Sequence, residues 1–224
     1  MLNPIQVGAN SHHGPVTSRC ADALALRYGF ENTERMAENI PEDSRVLDVG
    51  AGLSNLGNEI ASTRPDINWC NLDINYNNAV YGPSMKWRFE RLVNDAPNNV
   101  EYVTGSILSP SESLVQMRFA RIFSYYVLPH VALYSPGLAL IAMHNMRTMS
   151  SPGGIISIGP IPGVGDPAVE FIVPDYEEAI DLSPITKADW YNQEKDKYFS
   201  GMTQETALEL IESHGGKVRL DTPK

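Results

Sequence analysis

The chain has 224 residues, a formal net charge of −10 and a pI near 4.9, with 42% hydrophobic and 20% charged residues. This length and composition predict one globular domain with a sizeable core and exclude an intrinsically disordered chain. The excess of acidic residues argues against a nucleic acid or an anionic membrane surface as partner, because binding to phosphate groups needs clustered lysine and arginine.

Cysteine use and the N-terminal segment indicate the compartment. Cys20 and Cys70 do not have the spacing of a metal site, and two isolated cysteines are typical of a reducing compartment. Residues 1–16 contain neither the basic segment nor the apolar segment of a signal peptide. No apolar run approaches the roughly 20 residues that span a bilayer. We therefore expect a cytoplasmic protein without a membrane partner.

The first 43 residues are predicted to form a helical cap or arm ahead of the first strand. Residues 1–15 are polar and include the adjacent pair His12 and His13, which indicates a loop. As metal ligands these histidines would need a third partner that the sequence does not reveal, so no metal site is predicted. Apolar residues at helical spacing then predict helices over 16–28 and 32–39.

The segment 44–57 is predicted to be a buried strand, a glycine turn and the start of a helix. Gly50 and Gly52 form the turn, and Ser54 or Asn55 is placed to cap the helix. Glycines let the backbone approach a ligand closely, and the free N–H groups of a helix N-terminus face the polar end of that ligand. The segment is therefore a candidate site for a nucleotide-like ligand.

The kind of ligand depends on Asp48 and Asn55. A dinucleotide fingerprint, G-x-G-x-x-G, would need its third glycine at position 55, where the chain has asparagine. Asp48 lies at the end of the strand, where its carboxylate would repel a pyrophosphate and favour a positively charged ligand. S-adenosylmethionine carries two positive charges, an ammonium and a sulfonium. A glycine turn that binds no ligand is the alternative interpretation.

The second predicted strand, 67–73, ends in Asp73, which Ile74 follows. An acidic residue at the carboxyl end of this strand can accept hydrogen bonds from both hydroxyls of a ribose. The spacing after the glycine turn thus supports an adenosine-containing ligand without selecting one. An aspartate that merely caps a turn would produce the same pattern.

The later elements continue the alternation of helices and strands. They are predicted as helices over 83–96 and 136–149 and strands over 99–104, 120–126 and 155–158. Ser106 and Ile107 follow the third strand, Ser124 and Tyr125 lie at the end of the fourth, and His130 comes after it. Because ligands bind at the carboxyl ends of parallel strands where the strand order reverses, we expect Ser124 and Tyr125 near the glycine turn.

The segment at about 160–201 is predicted to be a long irregular insertion. Six acidic residues and no basic residue occur between 166 and 181. This stretch is either a solvated acidic surface or a lid that attracts a cationic acceptor. The remaining predicted elements are a helix over 203–214, a strand over 217–220 and an antiparallel edge strand that 171–173 could supply. The chain is thus divided into a cap, 1–43, and one α/β unit, 44–224.

Three segments resemble class I S-adenosylmethionine-dependent methyltransferases. The motif Asp-x-Gly-x-Gly over 48–52 resembles the first motif of that family. A leucine and a His–Val pair within 127–131, and Pro-Gly-Gly over 152–154 before an apolar strand, are also similar to it. The N-terminal helices resemble the cap that often covers the acceptor. The chain departs from the family at Ser54, which is often glycine there, and at Ser106, which is often acidic.

The resemblance covers about 44–220. It implies a Rossmann-like, mostly parallel sheet with helices on both faces, an N-terminal helical cap and S-adenosylmethionine as cofactor. The implied cofactor-binding residues are Asp48 for the ammonium, Gly50, Ala51 and Gly52 in the turn, Asp73 for the ribose with Ile74 after it, Ser106 and Ile107 for the adenine, and Ser124 and Tyr125 for the methionine end. His130, and after it His13, are the candidate catalytic bases, because an imidazole titrates near neutrality.

We predict in-line transfer of the cofactor methyl group to a small-molecule acceptor, with no nucleic acid as partner. Two alternatives stay open. One is an adenosine-binding enzyme of different chemistry: the acidic stretch 166–181 keeps an aminopropyltransferase open, whereas Asp48 and Asn55 disfavour a dehydrogenase. The other is a non-catalytic protein on the same fold that binds an adenosine-containing ligand, which Ser54 and Ser106 suggest.

Overall fold

The computed structural model describes residues 21–74, 76, 83–125, 127–128, 136–159, 169–172 and 216–218, with only the backbone described at 83–85, 136–141, 169, 171–172 and 216–218. The described strands are β1 Arg45–Val49, β2 Asn68–Asp73, β3 Val100–Thr104, β4 Phe119–Tyr125, β5 Ser150–Gly159, β6 Val169–Ile172 and β7 Gly216–Val218. The described helices are α1 Ala21–Arg27, α2 Thr33–Glu38, α3 Leu56–Thr63, α4 Pro83–Asn94, α5 Glu112–Gln116 and α6 Pro136–Met149. None of these helices is long and apolar enough to cross a membrane.

The strands form one sheet in the order β3-β2-β1-β4-β5-β6-β7. The five strands from β1 to β5 pair in parallel, whereas β6 is antiparallel to β5 and β7 is antiparallel to β6. This confirms the predicted Rossmann-like, mostly parallel sheet. Its strand order reverses between β1 and β4, so the carboxyl ends of these two strands border the crevice where such sheets bind ligands.

The two faces of the sheet carry separate apolar clusters. One face packs against α5 and α6, with Leu47, Ile122 and Met146 in its core. The other, which we call the cap face, packs against α1, α2 and α3, with Val46, Trp69 and Phe123 among its buried side chains. Since side chains alternate along a strand, Asp48, Asn71 and Tyr125 also belong to the cap face. The described N-terminal helices are therefore one layer of the core.

The crossover from β1 to β2 shows why its sequence folds as predicted. The Ser54 hydroxyl accepts a hydrogen bond from the Leu56 N–H over 3.1 Å, so Ser54 satisfies the first N–H of α3 although Asn55 occupies the N-cap position. Asn55 contacts Glu59 instead. A Cβ at Gly57 would lie 2.4 Å from the Trp69 indole nitrogen, so glycine is needed for α3 to approach β2.

Some predicted elements have different bounds. β5 begins at Ser150, and residues 151–154 form a bulge, because Phe119 pairs with Ser150 while Arg121 pairs with Ile155. Helix α5 was not predicted, and Ser111 caps it by accepting from the Leu114 N–H. The candidate antiparallel strand at 171–173 is present as β6, but it lies between β5 and β7, so β7 and not β6 is the edge of the sheet. The predicted helix 203–214 lies outside the described residues.

Candidate functional site

The glycine turn after β1 is anchored to β2 by backbone hydrogen bonds. The N–H groups of Gly50 and Ala51 donate to the Leu72 carbonyl over 2.7 and 3.4 Å. Gly50 and Gly52 have φ of +70° and +56°, a region that favours glycine. A Cβ at Gly50 would lie 2.2 Å from Cγ2 of Val127, whereas one at Gly52 would meet nothing closer than 4.0 Å. Gly50 therefore serves packing as well as the turn.

Asp73 lies where the predicted site needs an acceptor for a ribose. Its Oδ2 accepts a hydrogen bond from the Gly52 N–H over 3.0 Å, so the end of β2 and the turn form one unit. A carboxylate has about four acceptor positions, which leaves it able to accept from ligand hydroxyls as well. Ile74, the next residue, is half-buried in the turn that follows β2.

Asp48 is a carboxyl group that is only 5% exposed, on the cap face of the central strand. Its neighbours in register are Asn71 on β2 and Phe123 on β4. Burial raises the pKa of Asp48 to about 8, and the charge of Asp73 acts in the same direction. Burial therefore favours the neutral, protonated form of this side chain.

Two buried polar side chains on the cap face were missed by the sequence reasoning. The Tyr28 hydroxyl and the Nδ2 of Asn71 are each buried and make no hydrogen bond with the residues that the structure describes. The ring of Tyr28 lies against Phe123, with 4.9 Å between the ring centroids. The sequence did contain an indication for Asn71, because side chains alternate along β2 and Asn71 therefore lies on the same face as Trp69.

A positive charge from the cap approaches the end of β4. Arg27, on α1, donates a hydrogen bond to the Tyr125 hydroxyl, and its guanidinium carbon lies 5.3 Å from the centroid of that ring. Tyr125 also packs edge-on against Tyr28. The sequence reasoning placed Tyr125 at the site but did not single out Arg27.

The remaining predicted site residues differ in where the structure places them. Ser106 lies in a tight turn after β3, where its hydroxyl accepts from the Leu108 N–H, and the side chain of Ile107 is buried in the core. Ser124 is fully buried on the face opposite to Asp48, so the two side chains are not brought together. His130 and His13 lie outside the described residues, and their roles stay predictions.

The structure thus brings together Asp48, the glycine turn, Asp73 and Tyr125 at the carboxyl ends of β1, β2 and β4. Within the described residues, no three His, Cys, Asp or Glu side chains are grouped as a metal site. The described groups that could contact a ligand here are therefore two carboxyl groups, backbone N–H groups and an arginine–tyrosine pair, all beside a narrow turn.

Comparison with known proteins gives similarity in structure only. No protein-family model and no curated protein match the chain. The structure of PKMT2 from Rickettsia typhi in complex with AdoHcy is similar at 24% identity and a TM-score of 0.43, over 59% of this chain and 25% of that chain. The N-methyltransferase NodS from Bradyrhizobium japonicum WM9 is similar at 19% identity and a TM-score of 0.42, over 58% of this chain and 65% of that chain.

A TehB-like SAM-dependent methyltransferase from Corynebacterium glutamicum is similar at 17% identity and a TM-score of 0.41, over 60% of this chain and 64% of that chain. The matched part spans less than two thirds of each of these three structures. The chain has a Rossmann-like fold, with a glycine turn after its first strand and an acidic residue at the end of its second.

Proposed function

We propose that the protein is an S-adenosylmethionine-dependent methyltransferase that acts on a small-molecule acceptor. The observation that carries this proposal is the joint placement of Asp48, the turn at Gly50 and Gly52, and Asp73 beside the point where strand order reverses. Two acidic side chains next to a ligand-binding turn suit a cationic adenosine derivative and oppose a pyrophosphate.

The adenosine half of the cofactor would lie along the ends of β2 and β3. Asp73 would accept from the ribose hydroxyls, because it is held at the turn by Gly52 and has further acceptor positions. Ser106 and Ile107 would border the adenine through their backbone, since the Ser106 hydroxyl already accepts from Leu108. This half of the site provides affinity rather than chemistry.

The methionine half would lie between β1 and β4. Asp48 would face the ammonium group, and Tyr125 with Arg27 would border the carboxylate. A guanidinium suits a carboxylate because it offers several donors in one plane. An acid at one side of the turn and a guanidinium at the other suit the ammonium and the carboxylate of an amino acid end group.

The reaction would be an in-line displacement. The acceptor lone pair would form the new bond to the methyl carbon while the carbon–sulfur bond breaks, and S-adenosylhomocysteine would leave. The cofactor supplies the reactivity, and this chain supplies position and exclusion of water. His130 or His13 would take the acceptor proton where one must be removed.

Isothermal titration calorimetry with four ligands tests this proposal. We expect micromolar binding of S-adenosylmethionine and S-adenosylhomocysteine, and weaker or no binding of a nicotinamide dinucleotide or of decarboxylated S-adenosylmethionine. Preference for the decarboxylated ligand would favour an aminopropyltransferase, because that ligand lacks the carboxylate that Arg27 would bind. A folded protein that binds none of them would contradict the proposal.

A further inference from the structure

One aromatic contact joins helix α4 to the turn that follows β2. The ring of Phe89, on α4, stacks on the ring of Tyr76, with 4.7 Å between the centroids and 14° between the ring planes. Tyr76 lies in that turn, three residues after Asp73, and is buried. The contact therefore anchors the chain just beyond the acid that would hold the ribose.

Tyr102 completes a group of three rings, which we call the aromatic cluster. Its ring lies edge-on to Tyr76 and to Phe89, at centroid distances of 5.5 and 5.8 Å. Stacked and edge-on pairs at such distances are favourable beyond the area that they bury. Tyr102 belongs to β3 and pairs in register with Asn71 of β2, so the sheet supports the cluster. A strand, a turn and a helix are thus packed together at one point.

A buried amide ties α4 to the segment that follows the glycine turn. Asn58, on α3, is 6% exposed. Its Nδ2 donates to the Leu92 carbonyl of α4 over 2.9 Å, and its Oδ1 accepts from the Tyr102 hydroxyl over 2.8 Å. Helix α4 is therefore held to both segments that the Gly52–Asp73 hydrogen bond joins, the glycine turn with α3 and the end of β2.

The sheet fixes the chain up to Asp73, and side-chain packing fixes it beyond that residue. Asp73 is the last residue of β2, and its carbonyl accepts from the Gly105 N–H over 3.1 Å. Of the described side chains in the turn that follows, that of Tyr76 is buried, and the ring of Phe89 covers it. The direction of the chain after Asp73 thus depends on a ring that α4 supplies.

We propose that Phe89 is a positioning residue for the adenosine half of the cofactor, and that it acts through Tyr76 on the turn after Asp73. In this role Phe89 touches neither the cofactor nor the reacting atoms. It fixes the direction of the Asp73 carboxylate, and hydrogen bonds to ribose hydroxyls weaken steeply when their distance or angle is lost. The inference rests on the proposed function, because it takes the ligand of Asp73 to be a ribose.

Isothermal titration calorimetry of Phe89→Ala tests this role. The dissociation constant of S-adenosylhomocysteine should rise by about tenfold, the lower end of the effect of losing a hydrogen bond to a charged group. 5′-Methylthioadenosine has the same adenosine but no amino acid end, so its dissociation constant should rise by the same factor. Phe89→Tyr keeps the stacked ring and should bind both ligands as wild type does.

Trp87→Ala is the matched control, because Trp87 lies on the same helix and is 58% exposed. Its ring contacts Arg91, whose guanidinium carbon lies 5.9 Å from the ring centroid. Removing this ring should leave both dissociation constants unchanged. The titrations also separate positioning from folding, since unfolded protein lowers the binding stoichiometry whereas a displaced Asp73 raises the dissociation constant.

Hydrogen exchange of the wild-type protein makes the test independent of whether Phe89→Ala folds. Coupling between two sites is reciprocal, so a ligand that binds best with α4 in place must in turn stabilise α4. S-adenosylhomocysteine should therefore slow the exchange of amide hydrogens in α4. In folded Phe89→Ala saturated with the same ligand, this slowing should be lost.

The outcomes separate this inference from the proposed function. An unchanged dissociation constant in folded Phe89→Ala, a loss confined to S-adenosylhomocysteine, or an equal loss in Trp87→Ala would overturn the inference and leave the proposed function standing. Exchange in wild-type α4 that bound S-adenosylhomocysteine does not slow would do the same. A folded wild-type protein that does not bind S-adenosylhomocysteine would contradict both.

Discussion

The N–H of Gly52 donates to the Asp73 carboxylate over 3.0 Å, across a separation of 21 residues. This hydrogen bond joins the glycine turn after β1 to the end of β2, next to the backbone bonds that the turn makes to Leu72. The two features that the sequence presents separately, a glycine turn and an acid at a strand end, are thus one structural unit. A ligand that contacts one of them will meet the other.

Asp73→Ala removes both the anchor of the turn and the acceptor for a ribose. We expect cofactor binding to weaken by about 1.5–3 kcal/mol, the range for a hydrogen bond to a charged group. Calorimetry with S-adenosylmethionine measures the change. Asp95→Ala, at an exposed ion pair with Arg91, is the control and should bind as wild type does. Unchanged affinity in folded Asp73→Ala would remove Asp73 from the site.

Gly50→Ala and Gly52→Ala separate backbone strain from packing. Both residues have positive φ, which costs an alanine about 1–2 kcal/mol. Only the Cβ at Gly50 meets Val127, at 2.2 Å, and such overpacking adds about 1–3 kcal/mol. Urea unfolding should therefore show a clearly larger loss of stability in Gly50→Ala. Equal losses in the two variants would mean that Val127 yields without cost.

Asp48 makes the stability of the folded protein depend on pH. Its pKa is about 8 in the folded state, against 3.8 for an unperturbed aspartate, so the folded state holds the proton more tightly than the unfolded state. The stability from this proton is complete below about pH 4 and declines as pH rises to about 8, by up to about 1.4 kcal/mol per unit. Urea unfolding between pH 5 and about pH 9 measures this decline.

Asp48→Asn is the matched variant for that measurement, because an amide resembles the neutral acid in size. Its free energy of unfolding should fall less steeply with pH, so that it exceeds the wild-type value at the alkaline end. Parallel pH profiles for the two proteins would show that Asp48 is not a neutral acid in the folded state.

Tyr28→Phe and Tyr102→Phe compare two largely buried hydroxyls. The Tyr102 hydroxyl donates to Oδ1 of Asn58 over 2.8 Å, so its removal should cost about 1 kcal/mol of stability. The Tyr28 hydroxyl makes no hydrogen bond with a described residue, and its removal should be neutral or slightly stabilising. Thermal unfolding without ligand tests this pair. A loss in Tyr28→Phe as large as that in Tyr102→Phe would contradict it.

The sequence correctly predicted those helices, strands and turns whose formation depends on residues close to one another in the chain. The strand–turn–helix around Gly50 and the helix Pro136–Met149 are present as predicted, because glycines, caps and apolar spacing act within a few residues. The bulge at 151–154 was not predicted, since it depends on how β5 pairs with β4. The face occupied by Ser124 follows from alternation along β4, once the bounds of that strand are known.

By itself, the sequence determined that the protein is an α/β protein with a glycine turn, an acid at the end of its first strand and another at the end of its second. The tertiary structure alone decided that Asn71 and Phe123 lie beside Asp48 in register and that Tyr28 packs against Phe123. It also decided that Asp48 is buried without a compensating cation among the described residues. The physical reason is that burial and pKa depend on what packs around a group, and here the residues concerned come from β2, β4 and the turn after α1, about 20 to 75 residues from Asp48 in the chain.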